Sequence, residues 1–222
     1  MAAHVLARRQ AAVTGRISLR TSPGGLTTPA FAGPDGPEVV RLAGDVLVRE
    51  IGDRAVFVPA DGASLDELAR AVGVDLASGF DAGRDTPAIG DPDEPLALPA
   101  DAVTALGEWW LLGWQAIDTV VGELGPGAEP SVTRLWPEHF DAAADVAAAP
   151  DRRANLGASP GDGYQSQPYL YVGPWQVARP GPPGYWNAPF GSVLTRAELE
   201  ISGDPVGAAC DFLREGVRRL AE

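Results

Sequence analysis

Lysine is absent from this chain: all 17 basic residues among its 222 are arginine. That excludes Schiff-base chemistry on a lysine amine, pyridoxal-type anchoring with it, and the lysine of a Walker-type phosphate loop. Cysteine occurs once, at Cys210, which excludes an intramolecular disulfide framework and a thiolate zinc cluster. No stretch approaches the roughly 20 apolar residues that a bilayer-spanning helix requires. The opening segment MAAHVLARRQAAVTG has two arginines but no apolar run behind them. It reads as neither a secretory signal nor an anchor, with His4 on a frayed terminus. Cations are also outnumbered: 30 acidic residues give a formal net charge of −13. Wrapping nucleic acid or lying on an anionic membrane needs clustered positive charge, so neither partner is expected. The chain reads as an acidic, lysine-free, cytoplasmic protein.

Apolar residues make up 45% of the chain, enough to bury a substantial core in a single domain spanning 1–222. The 27 glycines and 21 prolines favour short elements joined by fixed turns. Residues 14–31 are read as strand, turn and strand, with Arg16 to Arg20 alternating and Ser22-Pro23-Gly24-Gly25 turning. Val39–Leu42, Val46–Ile51 and Ala55–Val58 form an antiparallel meander around Ala43-Gly44-Asp45 and Gly52-Asp53. Ser64 with Glu67 is a capping box opening a short helix that Gly73 stops. Residues 78–101, rich in Gly, Pro and Asp, are expected to be a mobile loop. The strongest helix is expected over 101–124. Val103, Leu106, Trp110, Trp114, Ile117, Val121 and Leu124 lie on one face, which Trp109 and Leu111 widen. The last helix opens at Asp204-Pro205 and turns Val206, Cys210, Leu213, Val217 and Leu220 inward, which makes Cys210 a buried, inert thiol.

Between these helices, residues 131–191 hold all four tyrosines, three of the six tryptophans and His139. Two motifs there fail on their chemistry. Gly157-Ala158-Ser159-Pro160-Gly161 matches the nucleophile-elbow pattern, but Pro160 has no N–H for an oxyanion and no histidine follows, so the segment reads as a turn. His139-Phe140-Asp141 matches half of an iron-binding facial triad that lacks its second histidine. Asp91-Pro92-Asp93-Glu94 lacks the spacing and glycine of a calcium loop and reads as solvated. No metal or cofactor is expected. Val132 to about Asp141 is read as a strand, with a helical alternative for its Ala-rich continuation, and Pro168 to Trp175 as another. On a strand, His139 and Asp141 share a face, with Glu138, Asp162 and Asn155 near. An imidazole beside a carboxylate suits general acid/base work. The alternative is a histidine bonded to a loop carbonyl, with Asp141 and Asp162 capping turns. Tyr169, Tyr171 and Trp175 face away from Leu170 and Val172. Together with Tyr164, Tyr185 and Trp186 they are either core or a stacking platform.

LWPEHFDAA, RANLGASPGD, PYLYVGPW and YWNAPFG, over roughly 131–191, resemble a mainly actinobacterial family of small soluble proteins without an assigned activity. RISLRTSPGGLTTPAF echoes it more weakly. The resemblance implies a bacterial cytoplasmic setting and draws attention to His139, Asp141 and Asp162, without giving any of them a role. The fold expected is α+β: an antiparallel curved sheet or sandwich packed against two main helices. The function expected is non-catalytic binding of a small molecule or protein partner through the aromatic and acidic surface of 131–191. The alternative is an enzyme using His139 with a carboxylate. A homo-oligomer is left open.

Overall fold

Short alternating apolar runs broken by Gly-Asp turns make the first part of the chain a meander. The computed structural model describes residues 1–83, 85–177, 179–181 and 184–222. Parts of the expected loop (position 84) and of the 131–191 stretch (178, 182 and 183) thus lie outside the described residues. The fold is α+β, with two antiparallel sheets, neither closed into a barrel. The chain divides into two compact units, 1–108 with 135–140, and 109–134 with 141–222.

In the first unit, Ala2–Ala7 is a wide-turned helix that runs into α1 (Arg8–Thr14). This end is buried, not frayed: Val5 and Leu6 are fully enclosed and His4 Nε2 lies 2.6 Å from the Pro87 carbonyl. Arg8 donates to the carbonyls of Asp75, Leu76 and Ser78, satisfying backbone that has no helix or strand partner. β1 (Arg20–Ser22), β2 (Gly25–Thr27), β3 (Phe31–Gly33), β4 (Gly36–Ala43), β5 (Val46–Ile51) and β6 (Arg54–Pro59) follow. Their order is β1-β2-β4-β5-β6, with β3 also on β4. β1 starts later than its alternation foretold; Leu19 makes only an isolated bridge to Leu135. Gly44 (φ 56°) and Gly52 (φ 60°) take the left-handed conformation that two-residue hairpins demand. α2 (Leu65–Ala71) carries both bonds of the Ser64–Glu67 capping box. Between β4 and β5 the Glu38 carboxylate, 1% exposed, sits between Arg9 and Arg49.

α3 (Ala100–Glu123) contributes Trp109 onward to the second unit, where Trp109, Trp110, Trp114, Ile117 and Val120 are buried. Leu111 is 47% exposed and does not widen the buried face. A 3-10 turn, Pro126–Ala128, precedes β7 (Arg134–Trp136), which straddles the division. β8 (Asp141–Ala149), β9 (Arg152–Ser159), β10 (Tyr169–Pro174) and β11 (Ser192–Thr195) run antiparallel in the order β11-β10-β9-β8. α4 (Arg196–Ile201) has a second capping box at Thr195–Glu198. α5 (Pro205–Ala221) is capped by Asp204 and buries Cys210, Leu213, Val217 and Leu220; Val206, on its first turn, stays 38% exposed. Burial pushes the Cys210 thiol above its ordinary pKa. α3 and α5 press onto the sheet through glycine: a Cβ at Gly113 would stand 2.2 Å from that of Ala158, and one at Gly216 2.6 Å from Val172.

Candidate functional site

Ladder register decides which side chains meet. Tyr171 is opposite Gly157, which is opposite Ala143; Leu170 is opposite Ala158, which is opposite Ala142. Side chains alternate across a strand, so Ala142, Ala144, Val146, Ala154, Leu156, Ala158, Leu170 and Val172 form one apolar face. All eight are buried, 2% exposed or less. The other face carries Asp141, Asp145, Arg153, Asn155, Ser159, Tyr169 and Tyr171. Trp175, one residue past β10, continues it, its backbone N–H reaching the Arg153 carbonyl at 2.9 Å.

One end of this polar face is closed. The Tyr171 hydroxyl donates to Asp141, and the Tyr169 hydroxyl donates to Asp162 at 2.7 Å. Burial, then the adjacent carboxylates, push both phenols well above their ordinary pKa, so they stay protonated donors. Burial pushes the Asp162 carboxyl up, but the Gln165 and Tyr164 amides and the Tyr169 hydroxyl outweigh it and hold it below the usual range. Asp162 therefore caps the turn after β9 and anchors Tyr169 at once. Phe190 sits among these rings, 5.2 Å from Tyr164 and 6.3 Å from Tyr171 by centroid.

Tyr171 lies directly over Gly157: a Cβ there would stand 2.2 Å from Cζ of the ring. Glycine at this strand position is thus a requirement of its aromatic neighbour. Gly157→Ala is expected to cost about 1–3 kcal/mol by overpacking and to break the Tyr171–Asp141 bond. Gly163→Ala, with open space around it, should stay within about 0.5 kcal/mol. Urea titrations of both variants check this; equal stability would show that the ring moves aside freely.

The other end of the face is open. Arg153 pairs with Asp145 through two bonds, 2.7 and 2.6 Å, and its guanidinium lies 5.5 Å from the centre of the Trp175 ring. Trp175 is 58% exposed yet held by its indole N–H on Asn155 Oδ1 at 3.1 Å. Arg153 also lines a groove of about 680 Å³ between the 3-10 turn, the β8–β9 hairpin and α5. Leu124, Ala128, Ala147, Ala148 and Val217 supply its apolar wall, and Glu129 and Asp151 its acidic rim. β8 shifts register between Ala147 and Ala149, a bulge beside the groove.

The expected pairing of His139 with Asp141 on one strand does not form. Residues 137–140 are a turn, with Phe140 at φ 59°, because Pro137 cannot continue a ladder. His139 stands 54% exposed with Nε2 3.9 Å from Asp85, and the Glu138 carboxylate lies beside Gly83. Asp141 instead opens β8 and faces Tyr171. Ser159 likewise is the buried last residue of β9, not part of a turn; its carbonyl accepts the Trp109 indole N–H at 2.7 Å. Of the expected residues, Asp141, Asp162, Tyr169, Tyr171 and Trp175 share the second unit's polar face and its turn, whereas Glu138 and His139 do not belong to it. Trp186 and Tyr169 are core, and Tyr164 and Trp175 are surface. Sequence reasoning passed over Asp145 and Arg153, which share the same period-two alternation with Asn155. Among the described residues, no group of three or more His, Cys, Asp or Glu is placed to hold a metal, and no helix is long and apolar enough to cross a membrane.

Comparison with protein-family models, with curated proteins and with solved structures finds no match for this chain. What the protein does is therefore read from its own side chains.

Proposed function

We propose that the protein is a non-catalytic binding protein for a small, ring-bearing, neutral or cationic molecule, held by Trp175 and the groove beside Arg153. The observation that carries this is the position of Arg153, which stacks on the exposed Trp175 ring and also lines a groove of about 680 Å³. Ligand pockets fall at roughly 300–1,000 Å³, with mostly apolar walls and few polar groups. The charge of Arg153 is answered by Asp145 and Glu129. With Asp151 also on the rim, a cation or neutral ring suits the site better than an anion. Trp175 is held in place by Asn155, so little ordering cost remains on binding.

The alternative of an enzyme using His139 loses its main argument, because His139 and Asp141 have different partners. A protein partner would find the same Trp175 surface, but the groove favours a small molecule.

The test is a thermal-shift screen with ring compounds, cationic, neutral and anionic, on wild type, Trp175→Ala and Ala148→Trp, the last filling the groove. Binding at a hundred times Kd adds about 2.7 kcal/mol. Cationic or neutral compounds should raise the wild-type melting temperature and leave both variants unmoved. Hits that shift all three proteins alike, or anions alone as hits, would refute the reading.

A further inference from the structure

β6 ends its sheet, and its outer edge is uncovered. Five of its six residues are exposed, including Val56 at 54% and Phe57 at 64%. The Ala60 N–H donates to the Asp45 carbonyl at 2.6 Å, one step beyond the Val46–Pro59 pair. Alternation from that bond turns the backbone groups of Val58, Val56 and Arg54 toward β5. The N–H and C=O of Ala55 and Phe57 therefore point outward, with no backbone partner on that side among the described residues. Natural edges are blunted by bulges, charged side chains or proline; on β6 these stand only at its two ends, Arg54 and Pro59, and Ala55 to Val58 between them carry none. β6 pairs with β5 over six unbroken positions, and the chain has no lysine.

We propose that β6 pairs antiparallel with β6 of a second copy of this chain, about a two-fold axis at Val56. In that register Ala55 of each copy lies opposite Phe57 of the other, and each pair exchanges both backbone bonds. Moving the axis to Phe57 would set Ala55 opposite Pro59, which has no N–H to give. Val56 then meets Val56 on one face, and Phe57 covers Ala55 on the other, burying the strand's exposed apolar groups. The charges agree: Arg54, the one charged side chain of the strand, is carried to the end where the second copy has the exposed Asp61. The two Arg54 side chains stay at opposite ends, whereas a parallel in-register pairing would stack them. The interface is isologous and closes as a dimer, as two-fold contacts do.

Sedimentation equilibrium of the full chain should give twice 23.1 kDa. Phe57→Pro removes an outward donor and no bond to β5, and should give a folded monomer with unchanged far-UV circular dichroism. Should that variant fail to fold, cysteine trapping decides. Directly opposed residues of a non-bonded antiparallel pair have Cβ atoms about 4.5–5.5 Å apart, close enough to cross-link. Under mild oxidation Val56→Cys should become a covalent dimer, while Val58→Cys, opposite Arg54, should not. A wild-type monomer at every concentration overturns the proposal, whether or not some other extended peptide pairs with β6. So does a dimer that survives in folded Phe57→Pro, or trapping at Val58 and not at Val56.

Discussion

Glu38→Gln is expected to lower stability by about 3–5 kcal/mol, the usual consequence of unpairing a buried ion. Arg9 holds the carboxylate through two bonds, 2.8 and 2.7 Å, and Arg49 adds two more at 2.9 and 3.4 Å. With side-chain exposures of 10% for Arg9 and 18% for Arg49, neither cation can recover its hydration if the carboxylate is lost. Glutamine keeps the shape but offers one acceptor oxygen and no charge, leaving two guanidinium groups in a poorly solvated place. Replacing all three residues with apolar ones of similar volume should cost far less, since the desolvation of the ions then disappears too. The pH dependence carries a definite sign. Burial pushes the Glu38 carboxyl up, but the hydrogen bonds and charges of Arg9 and Arg49 outweigh it, and its folded pKa lies below the ordinary value of 4.5. Its contribution is therefore fully present above the ordinary glutamate range and is lost as pH falls through the folded pKa. Urea titrations of wild type and Glu38→Gln should differ most near neutrality and converge in acid. A gap that stays constant with pH would show that the carboxylate charge is not what holds this cluster.

The elements legible in the sequence are those whose cause is local. The Ser64–Glu67 capping box, the Gly44-Asp45 and Gly52-Asp53 hairpins, the Asp204-Pro205 start and the tryptophan stripe of α3 depend on residues a few positions apart. Thr195–Glu198 has the same local cause, although sequence reasoning passed over it. The Arg9–Glu38–Arg49 cluster was not legible, because its members are brought together only by the pairing of β4 with β5 and the packing of the N-terminal helix. DAAADVAAA shows the limit of propensity. Alanine is the best helix former, yet this segment is strand β8. Ala142 and Ala144 are small enough for a helix to lie close on one face, and Ala143 sits on the other in the row of Gly157 and Tyr171. Tertiary packing overrides the intrinsic preference there. The candidate site divides the same way. The opposite orientation of Tyr169 and Tyr171 to Leu170 and Val172 follows from period two alone. The loss of His139 from the cluster turned on Pro137, a local signal against a continuous strand. The groove depends on a β8 bulge and a neighbouring turn, which no short pattern encodes.

Trp110→Ala should be as damaging as the loss of Glu38, for a different reason. The Trp110 side chain has no exposed surface, and three residues further along α3 Gly113 brings the helix backbone against Ala158 of β9. So close an approach leaves the helix little freedom to sink into the space an indole vacates, and a void results. Large-to-small substitutions of buried tryptophan cost about 3–5 kcal/mol through lost transfer energy plus the residual cavity. The informative comparison is Trp175→Ala, on the opposite face of the same sheet. That ring is 58% exposed and its single indole bond goes to a surface asparagine, so its removal should cost within about 1 kcal/mol. Denaturant titrations of the two variants side by side would then separate the covered face from the open one by several kcal/mol. Similar losses for both would mean that Trp175 is a structural pillar, and the case for a preformed binding surface at Arg153 would fall with it.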